Sequence, residues 1–285
     1  MVEQVVETQT PLEIAPAQYE LVRQLVYERA GINLGENRQH LVQARLAKLI
    51  RVGKLSGFAE YFERLQNDKS GQELGQLIDA ISTNTTYFFR EADHFDFLVE
   101  NIVQRIEKDR WAENRHVIRI WSAASSTGEE PYSLAMKVHD LLEAHPTVSV
   151  KILATDVSQK VLNIAKLGRY EQTKLRNVPV ELRGRYFRAV RDEQGQSYEV
   201  APSVRNLITF GHFNLMNSAY PFKHGFDYIF CRNVMIYFDR ATQESVIRKM
   251  SAHLRPGGHF IVGHSESLNA IRHDLHYVKP TIYRK

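Results

Sequence analysis

A single cysteine in 285 residues leaves no partner for an intramolecular disulfide and no thiolate set for zinc, which points to a reducing compartment, the cytoplasm. That residue, Cys231, lies in the apolar run DYIFC and is expected to be a buried, inert thiol. No apolar run approaches ~20 residues, so no membrane insertion is expected. The first residues, MVEQVVETQTPLEIAPAQ, lack the basic-then-apolar layout of a secretion signal and read as a flexible lead-in. The 12 histidines show no HxxxH or HExxH spacing, so no metal centre is expected. There is no G-x-S-x-G elbow, the GHSES segment included, which argues against a serine hydrolase. The excess of one sign of charge is small as well: a net +4 is compatible with an acidic partner without requiring one.

What is present changes character along the chain. From Pro16 to about Ala80 the pattern is helical, with amphipathic spacing over 17–30, 36–52, 57–66 and 71–80, and it predicts a small all-α domain over 1–82. In the second helix, at ~100° per residue, Val42, Leu46, Leu49 and Ile50 gather on one side and Arg45, Lys48 and Arg51 on the other. The second side reads either as a solvated face or as a basic, substrate-binding surface for an acidic helical or nucleic-acid partner. Residues 83–110 link the halves. From Val117 strands alternate with helices: strand 117–122, helix 131–144, strand 150–156, helix 158–167, then strands 206–213, 226–231 and 259–264 with a helix over 241–254 between the last two. This predicts an α/β fold with a doubly wound, mostly parallel Rossmann-like sheet over 111–285. The tail HYVKPTIYRK can add a last strand, and 169–205 interrupts the pattern with a hairpin whose turn signals fall at Asp192 to Gln196.

The stretch VIRIWSAASSTGEEPYSLAM, 117–136, carries the first chemistry. An apolar strand ends in small residues, two acids follow, and Pro131 opens a helix, the layout that builds a nucleotide-shaped pocket at the carboxyl end of a strand. The turn reads A-x-S-x-x-G, which weakens a dinucleotide reading. Carboxylates at a helix N-terminus repel a phosphate, so the implied ligand is hydroxyl-rich or cationic, and S-adenosylmethionine fits. Of the two acids, Glu129 is assigned to the ligand and Glu130 to the helix N-terminus. Asp156, closing ILATD, reads either as an acceptor for two ribose hydroxyls or as a helix N-cap. Asn214–Leu215 can hold a flat base, Arg232–Asn233 end FDYIFC, and TNTTYFFRE (83–91) is rich in hydroxyl, amide, aromatic and Arg groups. LRPGG (254–258) reads as a tight helix-to-strand connection.

Together TNTTYFFRE, WSAASSTGEEPYSLAM, ATD, FNL, FCRNVMIYFD, LRPGG and GHSES closely resemble the CheR-type chemotaxis receptor methyltransferases, over nearly the whole chain. The resemblance implies methyl transfer from S-adenosylmethionine, leaving S-adenosylhomocysteine, to glutamate side chains on the cytoplasmic helices of chemoreceptors. It implies cofactor contacts at Asn84, Thr86, Arg90, Glu129, Asp156, Asn214, Leu215, Arg232 and Asn233, and places Arg90 and Tyr237 near the transferring methyl. Tyr237 reads equally as an ordinary half-buried aromatic. The family inserts a β-subdomain at 169–205 that in some members docks a receptor C-terminal peptide; the glycine-rich loop of those members is missing here. A monomer acting in the cytoplasm is expected. A nucleic-acid methyltransferase is the competing enzyme reading, favoured by the basic helix alone, with no NPPY-like motif for a flipped base. A cofactor-binding signalling module without turnover is the non-enzyme reading.

Overall fold

The computed structural model of the chain describes residues 13–109, 116–192 and 195–285, and the chain folds into two compact units, Met1–Ser82 and Thr83–Lys285. The first unit holds α1 (Pro16–Ala30), α2 (Gln39–Val52), α3 (Phe58–Asn67) and α4 (Gln72–Ile81). Its core is the apolar stripe of each helix: Val22 and Val26, Val42, Leu46 and Ile50, Phe58, Phe62 and Leu65, Leu77 and Ile81. α2 starts three residues later than its pattern predicts. Residues Glu36–Arg38 form a 3-10 turn in which Asn37 leaves helical geometry.

Lys48 and Arg51 are exposed on α2, whereas Arg45 is half-buried and does not join them as an open basic face. Its guanidinium donates to the carbonyls of Ala80 (3.4 Å), Ile81 and Ser82 (3.4 Å). These belong to the last turn of α4, whose carbonyls have no partner within the helix. Arg45 therefore closes the helical unit.

The second unit begins with α5 (Asp93–Lys108), which the linking-segment reading missed although Phe95, Leu98, Ile102 and Ile106 sit at helical spacing and are buried. There follow β1 (Val117–Ala123), α6 (Glu129–Ala144), β2 (Ser149–Asp156) and α7 (Gln159–Leu167). The insertion comprises β3 (Arg169–Tyr170), α8 (Val180–Tyr186), β4 (Phe187–Asp192), β5 (Gly195–Val200) and α9 (Pro202–Arg205). Its strands form an antiparallel sheet in the order β3-β5-β4. The tip of the predicted hairpin turn, residues 193 and 194, lies outside the described residues, as do residues 1–12 of the lead-in. The described end of that segment is not a flexible lead-in, since Ile14 is buried in the helical core and α1 already begins at Pro16.

The chain then supplies β6 (Ile208–His212), β7 (Phe226–Cys231), α10 (Arg240–Ala252), β8 (Leu254–Ile261), β9 (His276–Lys279) and β10 (Ile282–Arg284). The main sheet has the order β6-β2-β1-β7-β8-β10-β9, parallel from β6 to β8 and antiparallel from β8 through β10 to β9. The tail thus makes a hairpin rather than a single strand. LRPGG is not a separate turn. Leu254 already pairs with Phe226, and the register resumes at His259 opposite Tyr228, so 255–258 bulge out of β8. Pro256 has no N–H to give the ladder.

Both faces of the sheet are covered. Ile118, Ile120, Tyr228 and Phe230 pack with α5 and α6 on one side. Trp121, Ile229, Cys231 and Phe260 pack with Val246, Ile247 and Met250 of α10 on the other. Cys231 is fully buried, and burial pushes its thiol well above the usual range. β1 is where connections turn from one half of the sheet to the other, which makes the carboxyl ends of β1 and its neighbours the ligand crevice of this topology.

Candidate active site

The first wall of the crevice is the turn after β1. Ala124 (φ +60°) and Ser126 (φ +49°) adopt left-handed backbone without being glycine, conformations that concentrate at ligand-binding turns. They are held by Ser125 N–H donating to Thr155 O (2.9 Å) and Ser126 N–H donating to Asp156 Oδ2 (2.9 Å). The other oxygen of Asp156 accepts from Ser158 N–H (2.9 Å), so one buried carboxylate fastens the β1 and β2 turns together. Asp156 is not the cap of α7: Ser158 is, accepting from Val161 N–H. Gly128 (φ +97°) must be glycine, because a Cβ there would stand 2.9 Å from both Ala165 Cβ and Tyr170 Oη.

Glu129 and Glu130 open α6, and their environments separate them. The Glu129 side chain is 0% exposed; it accepts from Thr127 Oγ1 (2.6 Å) and, at its other oxygen, from Lys174 Nζ of the insertion (3.3 Å). Glu130 stands in the first turn of α6, as the sequence reading has it, and its carboxylate is taken up by other elements. It accepts from Ser122 Oγ (2.7 Å) and from Arg232 (2.9 Å).

Arg232 organises the second wall, at the end of β7. Its side chain is 2% exposed and bridges Glu130 and Glu91 at 2.9 Å each, also donating to Arg90 O and lying over the Phe95 ring. Both terminal nitrogens are thus engaged inside the protein, while the buried Nε has no hydrogen-bond partner among the described residues. Next to it, Asn233 sits at φ +58° and donates Nδ2–H to Glu91 Oε1 (3.3 Å). Burial raises the Glu91 pKa, but the Arg232 guanidinium, with Asn233 and the His264 N–H, outweighs it and holds the carboxyl below its usual range.

The loop after Asn233 is closed by Glu266, which accepts from the N–H groups of Asn233 (2.7 Å), Gly263 (2.7 Å) and Met235 (2.8 Å). Burial nevertheless raises its pKa. Tyr237 ends the 3-10 turn Met235–Tyr237, half-buried against the core on that side.

The segment before α5 touches both walls. Asn84 O accepts from Ser126 Oγ (3.1 Å), and Arg90 donates to Thr85 O (3.0 Å) with its guanidinium 5.7 Å above the Tyr87 ring. Arg90 keeps 29% of its side chain exposed, unlike Arg232. Thr86 is half-buried in the same segment. Asn214 follows β6 and accepts from Met216 N–H (2.9 Å), with Leu215 buried beside it. The structure thus brings Asn84, Arg90, Glu129, Asp156, Arg232 and Asn233 into one hydrogen-bonded surround. Glu91, Ser126, Lys174 and Glu266 belong to it as well. The first two and Glu266 lie in stretches the sequence marks, TNTTYFFRE, the β1 turn and GHSES, but their own roles have no local signal, since each acts on a residue remote in sequence.

Glu91, His94 and His264 bring potential metal-ligand atoms within 4.8 Å of one another, but the Glu91 carboxylate is already occupied by Arg232, Asn233 and the His264 N–H. A cavity of about 500 Å³ opens beside the site, lined among others by Tyr87, Phe89, Glu91, Lys137 and Pro179. Its lining does not include Glu129, Asp156 or Asn214.

Carboxylates where a phosphate would sit, at the strand ends of a doubly wound sheet, call for a ligand with hydroxyl or cationic groups. Known proteins point the same way. Residues 84–284 match the family model described as CheR methyltransferase, SAM binding domain, and residues 17–82 match CheR methyltransferase, all-alpha domain. The chain belongs to the CheR methyltransferase family. A chemotaxis protein methyltransferase of Borreliella burgdorferi is 40% identical over 263 residues, covering 92% of this chain and 91% of that one. Chemotaxis protein methyltransferase 2 of Pseudomonas aeruginosa is 37% identical, with 93% and 91% covered, and the Escherichia coli chemotaxis protein methyltransferase is 35% identical, with 95% and 92% covered. The CheR-family chain is an S-adenosylmethionine-dependent methyltransferase of chemotaxis signalling. Among its described residues no helix is long and apolar enough to cross a membrane.

Proposed function

We propose that this CheR-family enzyme methylates glutamate side chains on the cytoplasmic helices of chemoreceptors, acting as a monomer in the cytoplasm, with its cofactor held at the ends of β1, β2, β6 and β7. The observation that carries the cofactor placement is Glu129: a fully buried carboxylate at the crevice, matched by a hydroxyl and one long lysine contact. Such a group is costly unless a ligand completes its hydrogen bonds.

Each oxygen of Asp156 accepts a main-chain N–H, and a carboxylate oxygen has a second lone pair with which to accept a ribose hydroxyl. Asn214 and Leu215 hold the base, Glu129 takes a donor group of the cofactor, and Asn84 and Thr86 cover it. S-adenosylmethionine, when bound, would supply a sulfonium-bound methyl to the glutamate oxygen, with the sulfur as leaving group. A free glutamate with pKa ~4.3 is ionised near neutrality, so the protein has no proton to remove. Its contribution is alignment and exclusion of water, a term reaching ~7–11 kcal/mol in well-oriented pairs. Arg90, partly exposed, orients a carboxylate of substrate or cofactor, and Tyr237 shapes the methyl pocket.

Exposed Lys48 and Arg51 on α2 suit an acidic receptor helix. In the insertion β4 is an edge strand, where a receptor C-terminal peptide would add as a further strand. The test is incubation with labelled cofactor, a receptor cytoplasmic fragment and RNA. Label should appear on protein as methyl ester released as methanol by mild alkali. Base-stable label, label in RNA, or none contradicts the proposal.

A further inference from the structure

Glu91 makes contacts that a simple counter-ion to Arg232 would not need. Its two oxygens are divided. Oε2 accepts from Arg232 Nη2 (2.9 Å) and from the His264 N–H (3.0 Å), while Oε1 accepts from Asn233 Nδ2 (3.3 Å). A carboxylate only accepts, so the Asn233 amide has to turn its nitrogen toward Glu91 and its carbonyl oxygen away. Packing confines the amide as well: Gly263 lies so close that a Cβ there would come within 2.4 Å of Nδ2. The Asn233 Oδ1 accepts no hydrogen bond among the described residues, and the residue sits at the carboxyl end of β7, next to β1. Glu91 itself is held at φ +58°, a left-handed conformation unusual for a side chain of this kind.

We propose that Glu91 is a positioning residue that locks the Asn233 amide so that its Oδ1 presents a fixed acceptor to a donor or cationic group of the bound cofactor. The inference rests on the reading that Asn233 meets the cofactor.

It makes a prediction that a merely structural ion pair would not. In Glu91→Gln the amide oxygen has to stay with Arg232 and the His264 N–H, both donors, so the new NH₂ faces Asn233. The Asn233 amide then flips and offers the crevice a donor. Binding of S-adenosylhomocysteine, measured by calorimetry on the full chain, should weaken by about tenfold or more, the cost of one lost charge-assisted or neutral contact turned repulsive. Asn233→Asp sets two carboxylates against each other and should weaken binding similarly. Combining them restores a donor facing an acceptor, with a carboxylate oxygen toward the crevice, and E91Q/N233D should return to within about threefold of the parent. A second cycle keeps the test decisive if the swapped pair folds poorly: on an Asn233→Ala background, Glu91→Gln should cost no further affinity.

Losses that multiply in E91Q/N233D, or a Glu91→Gln penalty that persists without the Asn233 amide, would overturn the positioning role. Asn233→Ala binding like the parent would instead overturn the underlying contact, and the inference with it.

Discussion

At the ends of β1 and β2 the crevice is held by a carboxylate and nearby main chain: Asp156 takes an N–H two residues on and another 30 residues back. At the end of β7 it is held by charges from distant parts of the chain, Arg232 joining Glu130 across 102 positions and Glu91 across 141. A turn tied to one carboxylate loses one or two hydrogen bonds when that group is altered. A buried cation shared by two carboxylates is different, because removing it leaves two acids in a poorly solvated site. The first wall thus leaves the buried Glu129 with a hydroxyl and one long lysine contact, whereas the second keeps Glu130 and Glu91 paired through Arg232.

Breaking the second wall at its centre should have the largest effect. Arg232→Met should cost about 3–5 kcal/mol in urea unfolding, against about 1–3 kcal/mol for Asp156→Asn, which forfeits hydrogen bonds to a charged acceptor. The reverse order would undo the comparison. Next comes Arg90→Ala, expected to lower kcat/KM about 100-fold, or ~2.7 kcal/mol, while leaving the unfolding midpoint near that of the parent.

Acidification should also act on the second wall. His94, against which Glu91 lies 3.5 Å away, has its pKa lowered to about 4 by burial and by Arg232, and His259 is lowered to about 4 by burial and by Arg105 and Arg284. The unfolded chain takes up protons near pH 6.5 that the folded protein resists, so stability is full above that value and falls as pH drops from about 6.5 toward 4. A melting temperature flat across that window contradicts this, and His259→Phe should flatten it in part. The smallest effect is outside both walls. Lys48→Glu with Arg51→Glu should raise KM for the receptor fragment a few-fold by weakening exposed charge contacts, with cofactor affinity unchanged.

These differences also explain what the sequence revealed. The β1 turn, Asp156 and the strand–helix alternation follow from local patterns, apolar runs ending in small residues and an acid, and they appear where that pattern puts them. α5 was legible too, since Phe95, Leu98, Ile102 and Ile106 carry a helical period, but it was passed over as a link. Arg232 and Glu130 stand at the strand end and in the first helix turn, where the sequence puts them, but nothing local announces their ion pair. Each looks like a ligand contact or a helix-end charge when only its neighbours are considered, and their pairing is a product of the folded sheet. Arg45 is the same case on a smaller scale, a cation on a predicted basic face that instead satisfies the end of another helix. Glu91 closes a stretch the sequence marks, TNTTYFFRE, but its own role has no local signal, because it lies in contacts to Arg232, Asn233 and His264.

The most direct measurement is a calorimetric titration of S-adenosylhomocysteine into the parent enzyme and Glu129→Gln, with thermal melts alongside. The substitution keeps shape and removes a fully buried charge whose partner lysine is itself half exposed, so the melting temperature should hold or rise. Affinity should fall by about 10- to 100-fold, the loss of one hydrogen bond to a charged acceptor. Affinity within twofold of the parent, in a protein that melts normally, would mean that the strand-end acids do not hold the cofactor.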